Sequence, residues 1–216
     1  MENKYRKWFG EQRCKQAVKV FAEKGWKAYY TETCGEARKL LFETVIPRGV
    51  SIGLGGSETL DAMDVLPVLR GGDYLLFDRY SGGDHFEICR DSLMADYFLT
   101  GANALTMNGE MVNIDCSGSR VAAMAYGPRN VVVAAGANKL TGSLEEAVKR
   151  ARSIAPMNCR RNRHKTYCAE AGVCAEEAGL DCNDPQRMCN HLLITFNAQK
   201  FAGKYTLILI NEDLGF

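Results

Sequence analysis

The sequence lacks any strong excess of charge, because 27 lysines and arginines face 26 aspartates and glutamates in 216 residues. A balanced charge gives no overall field that would attract nucleic acid or an anionic membrane surface. No window approaches the roughly 18 uninterrupted apolar residues that a membrane-spanning helix needs. The N-terminal stretch is charged throughout and lacks the apolar core of a signal peptide. We therefore expect a cytoplasmic protein without a membrane span and without a nucleic-acid partner.

Motifs that identify common nucleotide and metal sites are also missing. The glycine-rich loop "SIGLGGSETL" lacks the third glycine of a dinucleotide fingerprint and the Gly-Lys-Ser/Thr of a P-loop. The histidines, His85, His164 and His191, are too scattered for a three-histidine metal centre. Cys-x2-Cys pairs, which present two sulfurs to one zinc ion, do not occur. These absences disfavour a conventional Rossmann, P-loop or zinc-finger protein.

Apolar runs and turn residues predict an α/β fold. Strand-like and helix-like patterns alternate as far as Pro156, which predicts right-handed crossovers and a mainly parallel sheet with helices on both faces. A helical stretch is expected from Glu87 to Phe98, and a hairpin is expected to turn at Asn108-Gly109. The last two apolar runs are expected to rejoin the sheet or to pair at its edge. We expect one domain over residues 1–216, with a cysteine-rich excursion at residues 159–190.

The glycine-rich loop lies between a strand-like run and a helix-like run. Backbone amides at a helix start carry positive partial charge, so such a loop can hold a phosphate or a carboxylate, and glycines let that ligand approach closely. The loop residues expected to bind a ligand are Gly53, Gly55, Gly56, Ser57 and Thr59. The alternative is a tight turn that needs glycine only for its φ angles. Glu58 would repel an anion unless it faces away or serves as a catalytic acid or base.

A second polar cluster follows in "TGANALTMNGEMVNIDCSGSR", at the expected ends of strands and the start of a helix. Ligands of open α/β sheets bind outside the carboxyl ends of the strands. Arg120 is expected to hold a carboxylate or phosphate at two points, and Asp115 to act as a base or to orient a substrate hydroxyl. The alternative is that these two residues cap loops and form one structural ion pair. The other cluster residues expected near the ligand are Asn103, Asn113 and Gly118, with Thr100, Ser117 and Ser119 beside them.

Cysteine is abundant near the C-terminus, where four of the nine cysteines fall in "YCAEAGVCAEEAGLDCNDPQRMCN". These are Cys168, Cys174, Cys182 and Cys189, separated by five, seven and six residues. Three interpretations stay open: an iron–sulfur cluster or a zinc ion held by four thiolates, free thiols packed as small hydrophobes, or disulfides, which a reducing compartment disfavours. Nearby arginines and a lysine are expected to lower the pKa values of these thiols. The remaining cysteines occur singly, and most of them are expected in the core. Cys116 lies in the polar cluster and is the one single thiol that is a candidate for a reactive thiol.

A basic run, "RRNRHK" at residues 160–165, precedes this cysteine segment. Such a run is usually a solvated face. The alternative is a docking surface for an acidic partner or for the phosphates of a nucleotide.

Several of these stretches agree in order and spacing with one known family. They are "GLGGSETL", the central "FLTGANALTMNGEMVNIDCSGSRVAAMAYGPRNVVVAAGANK", the segment "C…C…DCNDPQRMCN" and the terminal "LILINEDLGF". Over nearly its whole length the chain resembles the lactate-utilization (LUD) domain family. That resemblance implies an α/β fold similar to that of ribose-phosphate isomerase, glucosamine-phosphate deaminase and the coenzyme A transferases. Some relatives in the family belong to an iron–sulfur protein complex that oxidises L-lactate to pyruvate.

Three functions are compatible with this sequence, which leaves oligomerisation open. The first is the binding of a small anionic ligand at the carboxyl edge of the sheet, in lactate or organic-acid oxidation with an iron–sulfur partner protein. The second is a stand-alone isomerase or coenzyme A transferase, for which Glu58 and Glu110 are the available glutamate nucleophiles. The third is a non-enzymatic assembly or electron-transfer subunit held through the cysteine segment.

Overall fold

The computed structural model describes residues 4–216. Its strands are β1 Lys27–Thr31, β2 Ser51–Leu54, β3 Leu75–Phe77, β4 Tyr97–Gly101, β5 Ala104–Thr106, β6 Met111–Asp115, β7 Asn130–Gly136, β8 Leu140–Thr141, β9 His191–Thr195 and β10 Tyr205–Ile210. Its α-helices are α1 Lys4–Glu23, α2 Cys34–Leu40, α3 Glu58–Ala62, α4 Val65–Gly71, α5 His85–Asp91, α6 Ser119–Ala125, α7 Leu144–Ser153, α8 Ala155–Arg161 and α9 Tyr167–Ala171. Within the described residues, no helix is long and apolar enough to cross a membrane.

Six parallel strands form the central sheet, in the order β1-β10-β7-β4-β2-β3. Strands β7 and β10 are apolar and almost wholly buried, as expected of strands that are covered on both faces. Successive residues of β7 point to opposite faces. Val131 and Val133 join the core under α1 and α6, whereas Val132 joins the core under α2, α3 and α4. The predicted fold class, a mainly parallel sheet with helices on both faces, is confirmed.

A smaller sheet, of order β8-β5-β6-β9, carries part of the candidate site. Strands β5 and β6 form an antiparallel hairpin whose turn includes Gly109 at φ 81°, a left-handed conformation that favours glycine. The predicted hairpin is therefore confirmed. Strand β9 pairs antiparallel with β6, and α7 covers this sheet through Ala147 and Ala151. These contacts fix β6, which carries Asn113 and Asp115.

Two details of the predicted layout are wrong. Helix α5 ends at Asp91, and Phe98 lies in strand β4 instead of in the expected helix. The pairing of β4 between β2 and β7 buries Phe98 and Leu99, and this tertiary burial outweighs the local helical pattern. The final run "YTLILI" rejoins the central sheet as expected, but "HLLIT" joins the smaller sheet because it pairs with β6.

Candidate functional site

A pocket of about 340 Å³ lies at the carboxyl ends of β2, β4, β6 and β7. It is lined by residues 56–58 after β2, by Gly101 at the end of β4, by Asp115 at the end of β6 and by Lys139 after β7. This is the edge at which open α/β sheets bind ligands. Small-molecule pockets measure roughly 300–1,000 Å³, so the volume suits a small ligand.

The glycine loop contributes only part of its predicted residues to this pocket. Gly56 and Ser57 line it, and the amide of Leu60 donates to the Ser57 Oγ at 3.3 Å, which caps α3. Gly53 and Gly55 instead pack against neighbouring side chains, where an added Cβ would lie 2.7 Å from the nearest atom in each case. Neither has a positive φ angle. These two glycines therefore serve close packing, and not the turn conformation that the alternative interpretation required.

Arg120 is anchored in the protein instead of being presented to a ligand. Its side chain is 11% exposed. Its terminal nitrogens donate to Oδ1 of Asn103 (3.0 Å), Oδ1 of Asn113 (2.8 Å) and the carbonyls of Gly101 (3.2 Å) and Ile114 (2.7 Å). A guanidinium has four terminal N–H donors, and these four acceptors use them all. A two-point clamp on a ligand would require this network to rearrange.

Asp115 has a matching structural role. One of its oxygens accepts the backbone amides of Arg120 at 3.0 Å and Val121 at 3.4 Å, at the start of α6, and Gly118 precedes that helix with φ 88°. The other oxygen lies 3.9 Å from the Arg120 Nε. Burial lowers the pKa of Arg120, and the neighbouring Asp115 opposes that shift. The geometry thus supports loop capping with one ion pair, while Arg120 still places a buried positive charge at the pocket.

Two further arginines, Arg79 and Arg161, line the pocket and were not among the predicted site residues. Arg79 follows β3, its guanidinium lies 3.4 Å from the His85 Nε2 and over the Tyr80 ring, and within residues 4–216 it has no carboxylate partner. Arg161 belongs to the basic run and forms an ion pair with Glu58. The basic run is therefore more than a solvated face. The position of Arg79 directly after a predicted strand was the signal that could have identified it.

Lys139 also lines the pocket and was not among the predicted site residues. Its side chain follows β7, is 5% exposed, and donates from Nζ to the Thr59 Oγ1 at 3.0 Å. Burial, aided by Arg150 and Arg120, lowers its pKa to about 7, and Glu58 opposes the shift. A lysine that titrates near neutral pH can act as a general base or acid, or as a nucleophile. We call the site formed by Arg79, Arg120, Lys139 and Arg161 the cationic pocket.

A model of the LUD domain family matches residues 14–210, which is most of the chain. The chain belongs to the LUD domain family. The resemblance recognised in the sequence is therefore confirmed. A crystal structure of a DUF162 family protein from Deinococcus radiodurans is similar to this LUD chain, with a TM-score of 0.52 and 13% identity, over 93% of this chain and 97% of that one. At that identity the likeness shows the fold alone. No curated protein matches the chain in sequence.

A second cavity of this LUD chain, of about 610 Å³, is lined by thiols. They are the four predicted together, Cys168, Cys174, Cys182 and Cys189, with Cys159 as a fifth. We call this site the cysteine cavity. Within residues 4–216, no three His, Cys, Asp or Glu side chains lie close enough to hold one metal ion. Cys189 also lines the cationic pocket, so the two cavities adjoin.

Nearby basic residues were expected to lower the pKa values of these thiols, but the thiol pKa values that shift are raised. Burial raises the pKa of Cys182, and it raises that of Cys189 to about 11, although Arg187 lowers both. Burial and the charge of Asp115 also raise the pKa of Cys116. A raised pKa disfavours the thiolate, so Cys116 lacks the activation that a reactive thiol needs.

Proposed function

We propose that this LUD-domain protein binds a small organic anion, a hydroxy- or keto-carboxylate, in the cationic pocket. The observation that carries the proposal is the charge of the lining. Three arginines and Lys139, which is cationic when protonated, line the pocket against two side-chain carboxylates, Glu58 and Asp115, each of which already faces an arginine. Unit charges 4 Å apart attract by about 4 kcal/mol at the effective dielectric constant of about 20 that suits protein sites. The excess of cations therefore favours an anionic ligand.

Two side chains are assigned roles toward that ligand. Arg79 is the primary carboxylate partner, because its guanidinium contacts His85 and Tyr80 and has no carboxylate partner within residues 4–216. Lys139 moves a proton at the ligand hydroxyl or carbonyl, since its pKa of about 7 lets both protonation states exist near neutral pH. Thr59 accepts a hydrogen bond from the Lys139 Nζ and so orients the amine.

The wider role follows from the family and the size of the pocket. LUD relatives include proteins of L-lactate oxidation, and on that ground we place this chain in organic-acid oxidation in the cytoplasm with an iron–sulfur partner protein. A volume of about 340 Å³ accommodates a small carboxylate but is small for a dinucleotide or a coenzyme A ester. Both considerations favour lactate, pyruvate or a similar acid as the ligand.

A sugar-phosphate isomerase is the second candidate, and one observation favours it. Lys139 and Glu58 line the same pocket, where an amine and a carboxylate can share the two proton transfers that an isomerase needs. A coenzyme A transferase has less support. Glu110 accepts a hydrogen bond from the Thr106 hydroxyl at the hairpin, away from the pocket lining, and Glu58 is engaged by Arg161.

Titration calorimetry with lactate, pyruvate, a pentose phosphate and acetyl-coenzyme A tests these candidates. We expect a hydroxy- or keto-acid to bind, and Arg79→Gln to weaken that binding about tenfold or more, because a hydrogen bond to a charged group contributes about 1.5–3 kcal/mol. Arg48→Gln is the matched control, since Arg48 is exposed and precedes β2 at the opposite edge of the sheet. Turnover of the pentose phosphate would favour the isomerase. Binding by none of these anions, or equal loss in both variants, would overturn the anion site.

A further inference from the structure

Five of the nine cysteines line one cavity, although four of them come from a segment with irregular spacing. Cys159 lies in α8 and Cys168 lies in α9. Both line the cavity, and their sulfurs are 3.6 Å apart. The remaining three thiols come from residues 172–190, which follow α9 as turns and irregular backbone. The fold thus gathers five sulfurs whose cysteines are separated in the sequence by five to eight residues.

The four later thiols lie around one space. Cys168 lines the cavity from α9, and Cys174, Cys182 and Cys189 line it from the turns that follow. All four are partly exposed, whereas the core cysteine Cys14 is fully buried. Thiols that line one cavity in this way do not behave as scattered core residues.

The segment that presents these sulfurs is built by specific contacts. Arg187 donates to the carbonyls of Cys182 at 2.7 Å and Cys189 at 3.2 Å. Gly172 and Gly179, both at φ 73°, supply left-handed turns that other residues rarely adopt. The backbone amide of Asn190 donates to the Asp115 carbonyl at 3.0 Å, which ties the end of the segment to β6. The cysteine cavity therefore has a defined wall.

A cluster and a single ion require different positions of the four thiolates. Tetrahedral zinc needs four donors at about 2.3 Å from one point. Within the described part of the chain no three donor side chains converge in that way. A [4Fe–4S] cluster, by contrast, takes one cysteine sulfur at each of four separate irons, so its ligands surround a wider space. The size of the cavity and its thiol lining fit that larger group.

We propose that Cys168, Cys174, Cys182 and Cys189 bind a [4Fe–4S] cluster in the cysteine cavity of this chain. Cys159, which is 1% exposed, is the positioning residue: its thiol lies beside the Cys168 sulfur and donates a hydrogen bond to it once that sulfur is a ligand. Ile114, Met188 and Cys189 line both cavities, so the cluster adjoins the cationic pocket. The cluster does not depend on an anion in that pocket, and the two proposals can fail separately.

The test is anaerobic purification of the full chain, followed by reconstitution with ferrous and ferric iron in equal amounts and with sulfide. We expect about four irons and four acid-labile sulfides per chain, with a broad absorption band at about 400 nm. Cys174→Ser and Cys182→Ser should each lose most of this iron. Cys34→Ser is the matched control, because Cys34 lies at the start of α2 outside the cavity and should keep it. Circular dichroism of each variant separates loss of the cluster from loss of the fold.

The positioning role of Cys159 has its own readout. Cys159→Ser should keep the iron content and shift the electron paramagnetic resonance signal or the reduction potential of the reduced cluster, because a hydrogen bond to a ligand sulfur tunes the potential. Loss of the iron in Cys159→Ser with retention in Cys168→Ser would overturn the ligand assignment. A folded chain that takes up no iron, or one that takes up a single zinc and stays colourless, would overturn the cluster.

Discussion

Two arginines organise the two cavities of this protein, and their surroundings differ. Arg120 is 11% exposed and donates to four oxygens that belong to β4, β6 and the connection after β4. Arg187 is 32% exposed. It donates to the carbonyls of Cys182 and Cys189 and to Glu176, all of them in residues 172–190. One arginine therefore joins elements that are distant in the chain, and the other folds a short segment onto itself.

This difference has consequences for stability. The oxygens around Arg120 are fixed by the two sheets, so the cationic pocket forms whenever the fold forms. The contacts of Arg187 are local and partly solvated. We therefore expect the cysteine segment to open locally at a lower free energy than the sheets do. A ligand that binds only the folded segment would stabilise it by mass action. The cationic pocket is thus preformed, whereas the cysteine segment would gain more stability from a bound ligand.

The largest expected change in the free energy of unfolding is that of replacing Arg120, with the replacement of Arg187 as the comparison. Arg120→Leu leaves four oxygens without their donor and Asp115 without its cation, so we expect a loss of about 3–5 kcal/mol in the free energy of unfolding. Arg187→Leu, without a bound metal, should cost about 1 kcal/mol, because water replaces part of its contacts. Urea unfolding followed by circular dichroism measures both values.

Arg38→Leu serves as the control for this pair. Arg38 forms an exposed ion pair with Asp64 at 3.3 Å, and such a pair contributes about 0–1 kcal/mol. If Arg120→Leu proved as mild as this control, the network around Arg120 would not be structural. Arg120 would then return as a candidate clamp for the ligand.

The same substitution, leucine to alanine, can be made in the central sheet and in the cysteine segment to compare the stability of the two regions. Leu209 lies in β10 and is fully buried, and Leu180 lies in the cysteine segment and is 48% exposed. Leu209→Ala should cost about 2–5 kcal/mol through lost burial and a cavity, whereas Leu180→Ala should cost less than about 1 kcal/mol. Thermal unfolding measures the difference. Similar losses in both variants would mean that the segment is part of the cooperative core.

The sequence predicted the sheet better than it predicted the site, and the reason is physical. Buried strands such as β7 and β10 consist of continuous apolar runs, which are visible in the sequence without any knowledge of partners. The hairpin at Gly109 is equally local. Strand β4 was misjudged at Phe98 because its burial comes from β2 and β7, which are distant in the chain.

Pocket residues were harder to predict because the role of a charged side chain depends on the residues that surround it in the folded structure. The sequence alone does not distinguish Arg120 from Arg79. In the structure, protein oxygens accept all four terminal N–H groups of Arg120, whereas Arg79 faces the pocket. Lys139 is an ordinary lysine until the fold buries it beside Thr59. The convergence of Cys159 with the four later cysteines likewise depends on α8 and α9 packing together.

The smallest effect concerns Lys139, whose pKa falls from 10.5 to about 7 on burial. Below pH 7 both the folded and the unfolded chain hold the proton, so burying the charge destabilises the fold in full. Between pH 7 and 10.5 the folded chain has lost the proton while the unfolded chain keeps it, and stability therefore rises with pH. Lys139→Met should abolish this rise. At pH 6 it should stabilise the protein by on the order of 2 kcal/mol, less than the full shift implies because the Thr59 contact is lost.

Urea unfolding at pH 6 and pH 9 compares Lys139→Met with the parent chain. We expect the advantage of the variant at pH 6 to shrink as the pH rises, because the parent lysine becomes neutral. The exposed Lys39, paired loosely with Glu43 at 4.0 Å, supplies the control Lys39→Met, which should show no such pH dependence. A variant less stable than the parent at both pH values would show that Lys139 is held there by favourable contacts. Burial of the Lys139 amine would then cost the parent chain no stability. In that case, a cost in stability could not be used to infer that the lysine is retained for its function.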